Sequence, residues 1–219
     1  MYCPSAFRQN DLAALHAHIQ STGLALLTSA GASGLQASHL PLILAPEEGE
    51  FGTLYGHIAR ANPHWRDLAA GAEALVVFSG PDAYVHPGWY AAKTEHGKVV
   101  PTWNYITVQA WGAVEVFEDP QRLRQVVGAL TDRHEGGFAA PWQVDDAPVE
   151  YIDSMLRAIV GFALPIQRIE GKWKLGQNRS QADQVGVYEG LCQSPREADR
   201  QLAASMAQAN HALCPHSPE

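Results

Sequence analysis

Apolar residues recur along this 219-residue chain in two rhythms, and the switches between them lay out its elements. Leu12, Leu15 and Ile19 stand at helical spacing behind Asn10 and Asp11, either of which caps a first helix that Gly23 ends. A buried strand follows over 24–28, where four of the five residues are apolar, and a Gly/Ser/Ala turn closes it at 30–34. A second strand runs from about Leu35 to Leu44, with Pro41 marking an edge or a bulge, since proline cannot donate to a ladder. Beyond the acidic turn 47–50, a third strand spans Gly52 to Ile58 and a fourth Ala74 to Ser79. Between them Asn62-Pro63 opens a short helix over 63–70, with Asn as cap and Pro at the first helical position.

Residues 81–101 break both rhythms. Their Pro, Gly and aromatic content predicts a long loop with little regular structure, and loops of that length are functional or disordered. The aromatic residues argue for function. Thr, Trp, Tyr and Val over 102–117 predict one long strand or a bent pair. Asp119-Pro120 starts a helix carrying Leu123, Val126, Val127 and Leu130, and a second begins near Pro148 with Ile152, Met155, Leu156 and Ile159. A strand over 160–169 follows, with 171–175 as its continuation or a turn. From Ser180 the chain turns Ala/Gln/Glu-rich and helical, Ser194-Pro195 opens a last helix, and 214–219 reads as a frayed end. Five or six core strands with helices between them predict an α+β barrel, not a doubly wound parallel sheet. The expected organisation is one domain over 1–190 and a helical tail over 191–219.

Composition narrows the function. Hydrophobic residues make up 46% and charged residues 17%, enough for a sizeable buried core. The formal net charge of -8 withholds the positive field that supplies most non-specific nucleic-acid affinity, and no basic patch stands out, which speaks against direct DNA binding. Cys3, Cys192 and Cys214 are odd in number and not closely paired, the start has no signal-peptide pattern, and the apolar runs are too short for a membrane span. A cytoplasmic protein without membrane contact is the expectation. His16 and His18 point to different helix faces, and no HExxH or CxxC occurs, so no metal site is expected. Gly-x-Ser-x-Gly and the phosphate-loop glycine patterns are also absent.

Five segments carry a resemblance. They are Met1-Tyr2 with Pro4 and Phe7; Ala37-Ser38-His39-Leu40-Pro41-Leu42; Gly56-His57-Ile58-Ala59-Arg60-Ala61-Asn62-Pro63; Pro101-Thr102-Trp103-Asn104-Tyr105; and Lys174-Leu175-Gly176-Gln177-Asn178-Arg179. In this order, over roughly residues 1–190, the chain resembles the PaiB family of FMN-binding negative transcriptional regulators. The resemblance implies an α+β, FMN-binding split β-barrel with inserted and C-terminal helices, shared with pyridoxamine-phosphate oxidases and related flavin reductases. It also implies FMN as cofactor and a homodimer with two FMN sites at the subunit interface. Many members have Ser where this chain has Gly176, which removes a hydroxyl.

A flavin mononucleotide needs donors for its phosphate, polar groups for the ribityl chain and pyrimidine edge, and a flat apolar wall. Arg60, just before a capped helix, is the local candidate for the phosphate, with Ile58 and Ala59 along the ring system and Asn62 at the cap. A surface arginine and a cap that serves folding alone explain the same residues. The resemblance implies flavin contacts from His39 and Leu40; a histidine on an apolar strand is equally a satisfied core residue, and His57 carries the same two readings. Thr102, Trp103 and Asn104 combine a hydroxyl, an aromatic plane and an amide, as a flavin wall or as an aromatic strand entering the core. Lys174, Gln177, Asn178 and Arg179 reach a partner's FMN or form a solvated turn. The expected function is an FMN-binding regulator acting directly or indirectly. The alternatives are a flavin-dependent oxidoreductase of a small-molecule substrate, walled by Tyr84, His86, Trp89, Tyr90 and Lys93, a haem-binding split-barrel protein, or a flavin-storing dimer.

Overall fold

The computed structural model describes residues 1–213. In chain order the elements are β1 (Arg8–Gln9), α1 (Leu12–Ser21), β2 (Ala25–Gly31), β3 (Gly34–Leu40), β4 (Ile43–Ala45), β5 (Thr53–Ala59), α2 (His64–Ala69), β6 (Glu73–Val85), α3 (Ala92–Glu95), β7 (Thr102–Ala113), β8 (Glu115–Phe117), α4 (Pro120–Glu135), α5 (Val149–Arg157), β9 (Ile159–Pro165), β10 (Arg168–Lys174), α6 (Gln181–Cys192) and α7 (Glu197–Ala209). The strands hydrogen-bond in the orders β1-β10-β7-β6-β2-β3 and β4-β5-β9-β8. Two compact units share them: unit 1 comprises Met1–Asn10, Ser79–Thr107 and the chain from Gly171 onward, and unit 2 comprises Asp11–Phe78 and Val108–Glu170.

In unit 2 the antiparallel pairs follow from alternation. Ala25, Leu27 and Ser29 of β2 are buried while their neighbours are not, and β2 pairs with β3 from Ala25 opposite Leu40 to Gly31 opposite Gly34. The single strand expected over 35–44 is two, because Pro41 falls at the break and removes the donor that a continuous ladder requires. β5 pairs along its whole length with β9, from Thr53 opposite Pro165 to Ala59 opposite Ile159. α4 begins as its sequence predicts: Asp119 accepts from the Arg122 amide at 2.8 Å, with Pro120 in the first turn. Its stripe of Leu123, Val126 and Leu130 packs with Ile152 and Leu156 of α5 on Phe117 and Ala163.

In unit 1 the stretch 81–101 corrects the loop expectation. β6 continues to Val85, a 3-10 turn covers Pro87–Trp89, and α3 follows. Ala83, Val85 and Tyr90 are buried there, in a core with Ile106, Leu175 and the apolar faces of α6 and α7. Burying each such large side chain is worth roughly 1.5–3 kcal/mol, which outweighs the turn preference of the local sequence. The strand expected over 160–169 is likewise two, β9 and β10. Cys214 to Glu219, read from sequence as a frayed end, lies outside the described residues.

Candidate functional site

Unit 2 supplies the turn from β5 into α2. Leu54, Gly56 and Ile58 are buried on one face of β5, and Tyr55, His57 and Ala59 occupy the other. The turn is fixed by backbone bonds from Arg60 N to Ala158 O and from Asn62 N to Ala59 O, both 2.8 Å. The Arg60 guanidinium is engaged within the unit: Nε donates to Arg157 O at 2.9 Å, Nη2 to Ile159 O at 3.2 Å, and Nη1 pairs with Glu118 at 2.8 Å. Asn62 faces inward instead. Its Oδ1 accepts from His64 N at 3.1 Å and its Nδ2 donates to Ser38 Oγ at 3.1 Å.

That contact opens a buried polar network. The His64 ring is 1% exposed, with Nδ1 2.8 Å from Ser38 Oγ and Nε2 2.9 Å from Ser29 Oγ. Hydroxyls donate or accept, so either neutral tautomer is satisfied. Burial lowers the His64 pKa, opposed by the Asp67 carboxylate. Asp67, buried one turn on, accepts from Gln36 Nε2 at 2.5 Å and Ser33 Oγ at 3.2 Å. β2, β3 and α2 are thereby clipped together around the turn that presents Arg60 and Asn62. His39 is exposed near the end of β3, beside half-buried Leu40. His57 is half-buried, its Nδ1 is enclosed without a hydrogen-bond partner, and burial lowers its pKa.

Unit 1 gathers the other candidates. Trp103 is 49% exposed, whereas its neighbour Asn104 is buried. Lys174 Nζ donates to Thr102 Oγ1 and to Trp103 O, each at 2.6 Å. Two residues earlier on β10, and so on the same face, Lys172 is only 7% exposed; its Nζ donates to Tyr2 O at 3.1 Å and lies 5.0 Å from the Tyr105 ring centre. The Arg179 guanidinium lies 4.8 Å over the Tyr90 ring. Among the described residues none of these three cations forms an ion pair. The consequence shows at Lys174, whose pKa is lowered first by burial and then by the charges of Lys172 and Arg179. Trp103 meets Tyr84 edge-on at 5.9 Å, and a groove of about 360 Å³ opens along Trp103, Tyr105, Thr107, Ser79 and Asp82.

The turn after β10 holds itself. Gln177 donates to Trp173 O at 2.6 Å and accepts from Leu175 N at 2.8 Å, while Asn178 is exposed. Gly176 has φ +85°, the left-handed region in which glycine is unstrained, so the turn itself accounts for glycine there. Lys172 belongs to none of the motifs visible in the sequence, although its spacing of two from Lys174 on a strand places both on one face. Tyr84 lies on β6, which continues beyond the end at Ser79 that the sequence predicts. No cluster of three or more His, Cys, Asp or Glu side chains among the described residues could hold a metal ion, and no helix among them is long and apolar enough to cross a membrane.

Comparison with known proteins shows the family and the fold. Residues 1–168 match the family described as "Putative FMN-binding domain". The chain is 33% identical over 226 residues to the uncharacterized protein AN0679 of Emericella nidulans, covering 87% of this chain and 90% of that one. It is 29% identical over 206 residues to the protease synthase and sporulation protein PAI 2 of Bacillus subtilis, covering 94% and 96%. Among solved structures, the FAD and heme binding protein from Mycobacterium smegmatis superimposes with a TM-score of 0.57 at 20% identity, covering 77% of this chain and 74% of that one. At that identity the likeness is one of fold, and the fold class is the α+β split β-barrel.

Proposed function

The chain belongs to the FMN-binding family that this match defines, and from that premise we propose that the aromatic and cationic face of unit 1 holds the cofactor. The observation that carries the reading is uncompensated charge. Lys172, Lys174 and Arg179 stand together without a carboxylate partner among the described residues, in a chain of net charge -8. A phosphate dianion supplies the missing counter-charge and is itself best held by such donors. The half-exposed Trp103 ring offers a flat face for a flavin ring system, with Tyr84 edge-on to it and Tyr105 along the same groove of about 360 Å³. Arg60 also stays a proposed phosphate contact: two carbonyls orient its fork, and its pair with Glu118 is an exposed one that an anion can displace. Ile58, Ala59, Asn62, His39, Leu40 and His57 stay as proposed flavin contacts, in a homodimer.

Bound FMN supplies redox chemistry at its ring, and the residues named here bind and orient it. A regulatory role fits best as flavin-dependent action on a protein or small molecule, since the acidic chain lacks the field that DNA binding draws on. The test is the absorbance spectrum of the purified protein with mass analysis of the released ligand. A colourless protein that ignores added FMN ends the reading. Rapid reduction by NADH or NADPH would turn it toward an oxidoreductase, and a salt-sensitive shift of promoter DNA toward direct regulation.

A further inference from the structure

A second cavity lies wholly within unit 2, between the four-stranded sheet and α4, and contains none of the residues assigned to FMN. Its volume is about 260 Å³, below the roughly 300–1,000 Å³ that accommodates drug-sized ligands. Ile43 and Ala45 of β4 and Val126 and Ala129 of α4 form an apolar wall. Opposite charges stand at its polar margin, each already oriented. The Tyr55 hydroxyl donates to Glu48 Oε2 at 2.5 Å, directing one carboxylate. The Arg122 guanidinium lies 4.0 Å from the Phe117 ring centre and donates from Nη1 to Glu115 at 2.7 Å.

The Phe117 platform is built by the sheet. Phe117 pairs with Gly161, and a Cβ on Gly161 would stand 2.3 Å from Phe117 Cε2, so the missing side chain is what lets the ring lie there. The stack of Gly161, Phe117 and Arg122 therefore holds a guanidinium in place before any ligand arrives. The Arg122–Glu115 pair is exposed, with side chains 41% and 59% accessible, and exposed pairs of this kind are worth about 0–1 kcal/mol. Such a pair yields readily to a ligand carboxylate.

We propose that this cavity binds a small zwitterion with an apolar side chain, a free aliphatic amino acid, with its ammonium on Glu48, its carboxylate on Arg122 and its side chain against Ile43 and Val126. A lone amine would leave the Arg122 fork unused, and a lone acid would meet the Glu48 carboxylate. The three parts of the cavity match the three parts of an amino acid.

Calorimetric titration of the full chain with L-leucine, isoamylamine and 4-methylpentanoate tests the assignment. Leucine is expected to bind at least about tenfold more tightly than either truncated analogue, the loss expected for a missing charge-assisted hydrogen bond. Glu48→Gln should erase the preference over the acid, and Arg122→Gln the preference over the amine, with FMN affinity unchanged in both. Ala129→Phe, on an exposed helical position at the mouth, should abolish binding while leaving the circular dichroism spectrum intact. Absence of binding by leucine, valine and methionine at millimolar concentration would overturn the proposal. So would an analogue that binds as well as leucine, or leucine binding that survives Ala129→Phe.

Discussion

Lys172 and Lys174 sit two residues apart on β10, and although one ammonium is enclosed and the other half-buried, their partners are all neutral: oxygens of Tyr2, Thr102 and Trp103 and, for Lys172, the Tyr2 and Tyr105 rings. Like charges on one strand face repel, and buried charges normally come with an opposite partner. The charges of Lys172 and Arg179 disfavour the charged form of Lys174, and a bound anion would offset them.

Replacing Lys172 with Met should therefore act in two directions. Methionine fills a similar volume without the unpaired charge, so the ligand-free protein should be unchanged or more stable by up to about 1–2 kcal/mol. FMN affinity should fall at least about tenfold, with riboflavin, which has no phosphate, little affected. Urea denaturation and fluorescence titration with both flavins check the pair of outcomes. A loss of riboflavin binding equal to that of FMN would remove the phosphate from this cluster.

Three histidines contribute to the response to acid. The pKa values of His18, His57 and His64 all lie below the ordinary 6.5, burial being the first cause in each. The unfolded chain binds protons at about pH 6.5 while the folded chain resists them to lower pH. The stability these rings govern is thus full above 6.5 and is lost as pH falls from 6.5 toward the folded values. His57, whose enclosed Nδ1 has no partner, should contribute cleanly: His57→Leu is expected to flatten the fall in stability between pH 6.5 and 5, measured by denaturation at a series of pH values. An unaltered slope would show that the ring is solvated.

The sequence made the short-range features of this fold legible and hid those decided at a distance. Asp119-Pro120 announced α4, and the alternation at 53–59 announced β5, because capping and strand period are local signals. Pro41 marked the break between β3 and β4 only as a bulge or edge. Residues 81–101 misled because their Pro, Gly and aromatics have turn chemistry, whereas Val85 and Tyr90 take their places from a core completed by Val187, Leu191 and Leu202 about a hundred positions on. The site followed the same rule. Lys174 and Arg179 stood in a visible motif, but the charge imbalance that makes them informative appears only when their partners, and the missing carboxylates, are seen.

Trp89 shows how that distant packing is achieved. A Cβ on Gly190 of α6 would lie 2.4 Å from Trp89 Cδ2, and one on Gly186 would lie 2.1 Å from Trp89 O. The two glycines, one turn apart on α6, form the slot that receives the tryptophan. Gly186→Ala is expected to destabilise by about 1–3 kcal/mol despite alanine's better helix propensity, because the obstacle is backbone that cannot rotate away. Gly128→Ala on α4, where nothing lies within 4 Å, should stabilise by about 0.5–1 kcal/mol and serves as the control in the same thermal melts.

The His64 network gives the most direct test of how the β5–α2 turn is held. The ring joins Ser29 of β2 to Ser38 of β3, and Ser38 in turn receives Asn62, so one side chain ties two strands to the segment that presents Arg60. His64→Leu keeps the volume but strands the buried Ser29 hydroxyl and leaves Ser38 only its bond from Asn62, and a buried hydroxyl left without a partner costs about 1–3 kcal/mol. A loss of about 1–3 kcal/mol in chemical denaturation is therefore expected. Adding Ser29→Ala and Ser38→Ala removes the stranded hydroxyl together with the ring but also takes the acceptor from Asn62 Nδ2, so the triple variant should recover only part of that loss. If the turn is placed by this network, the recovered stability will not restore an ordered turn: hydrogen exchange at the Arg60 and Asn62 amides, bonded to Ala158 O and Ala59 O, should stay faster than in the parent protein. Parent-like protection in the triple variant would mean that the backbone bonds alone hold the turn and that the histidine serves only to fill and satisfy the core.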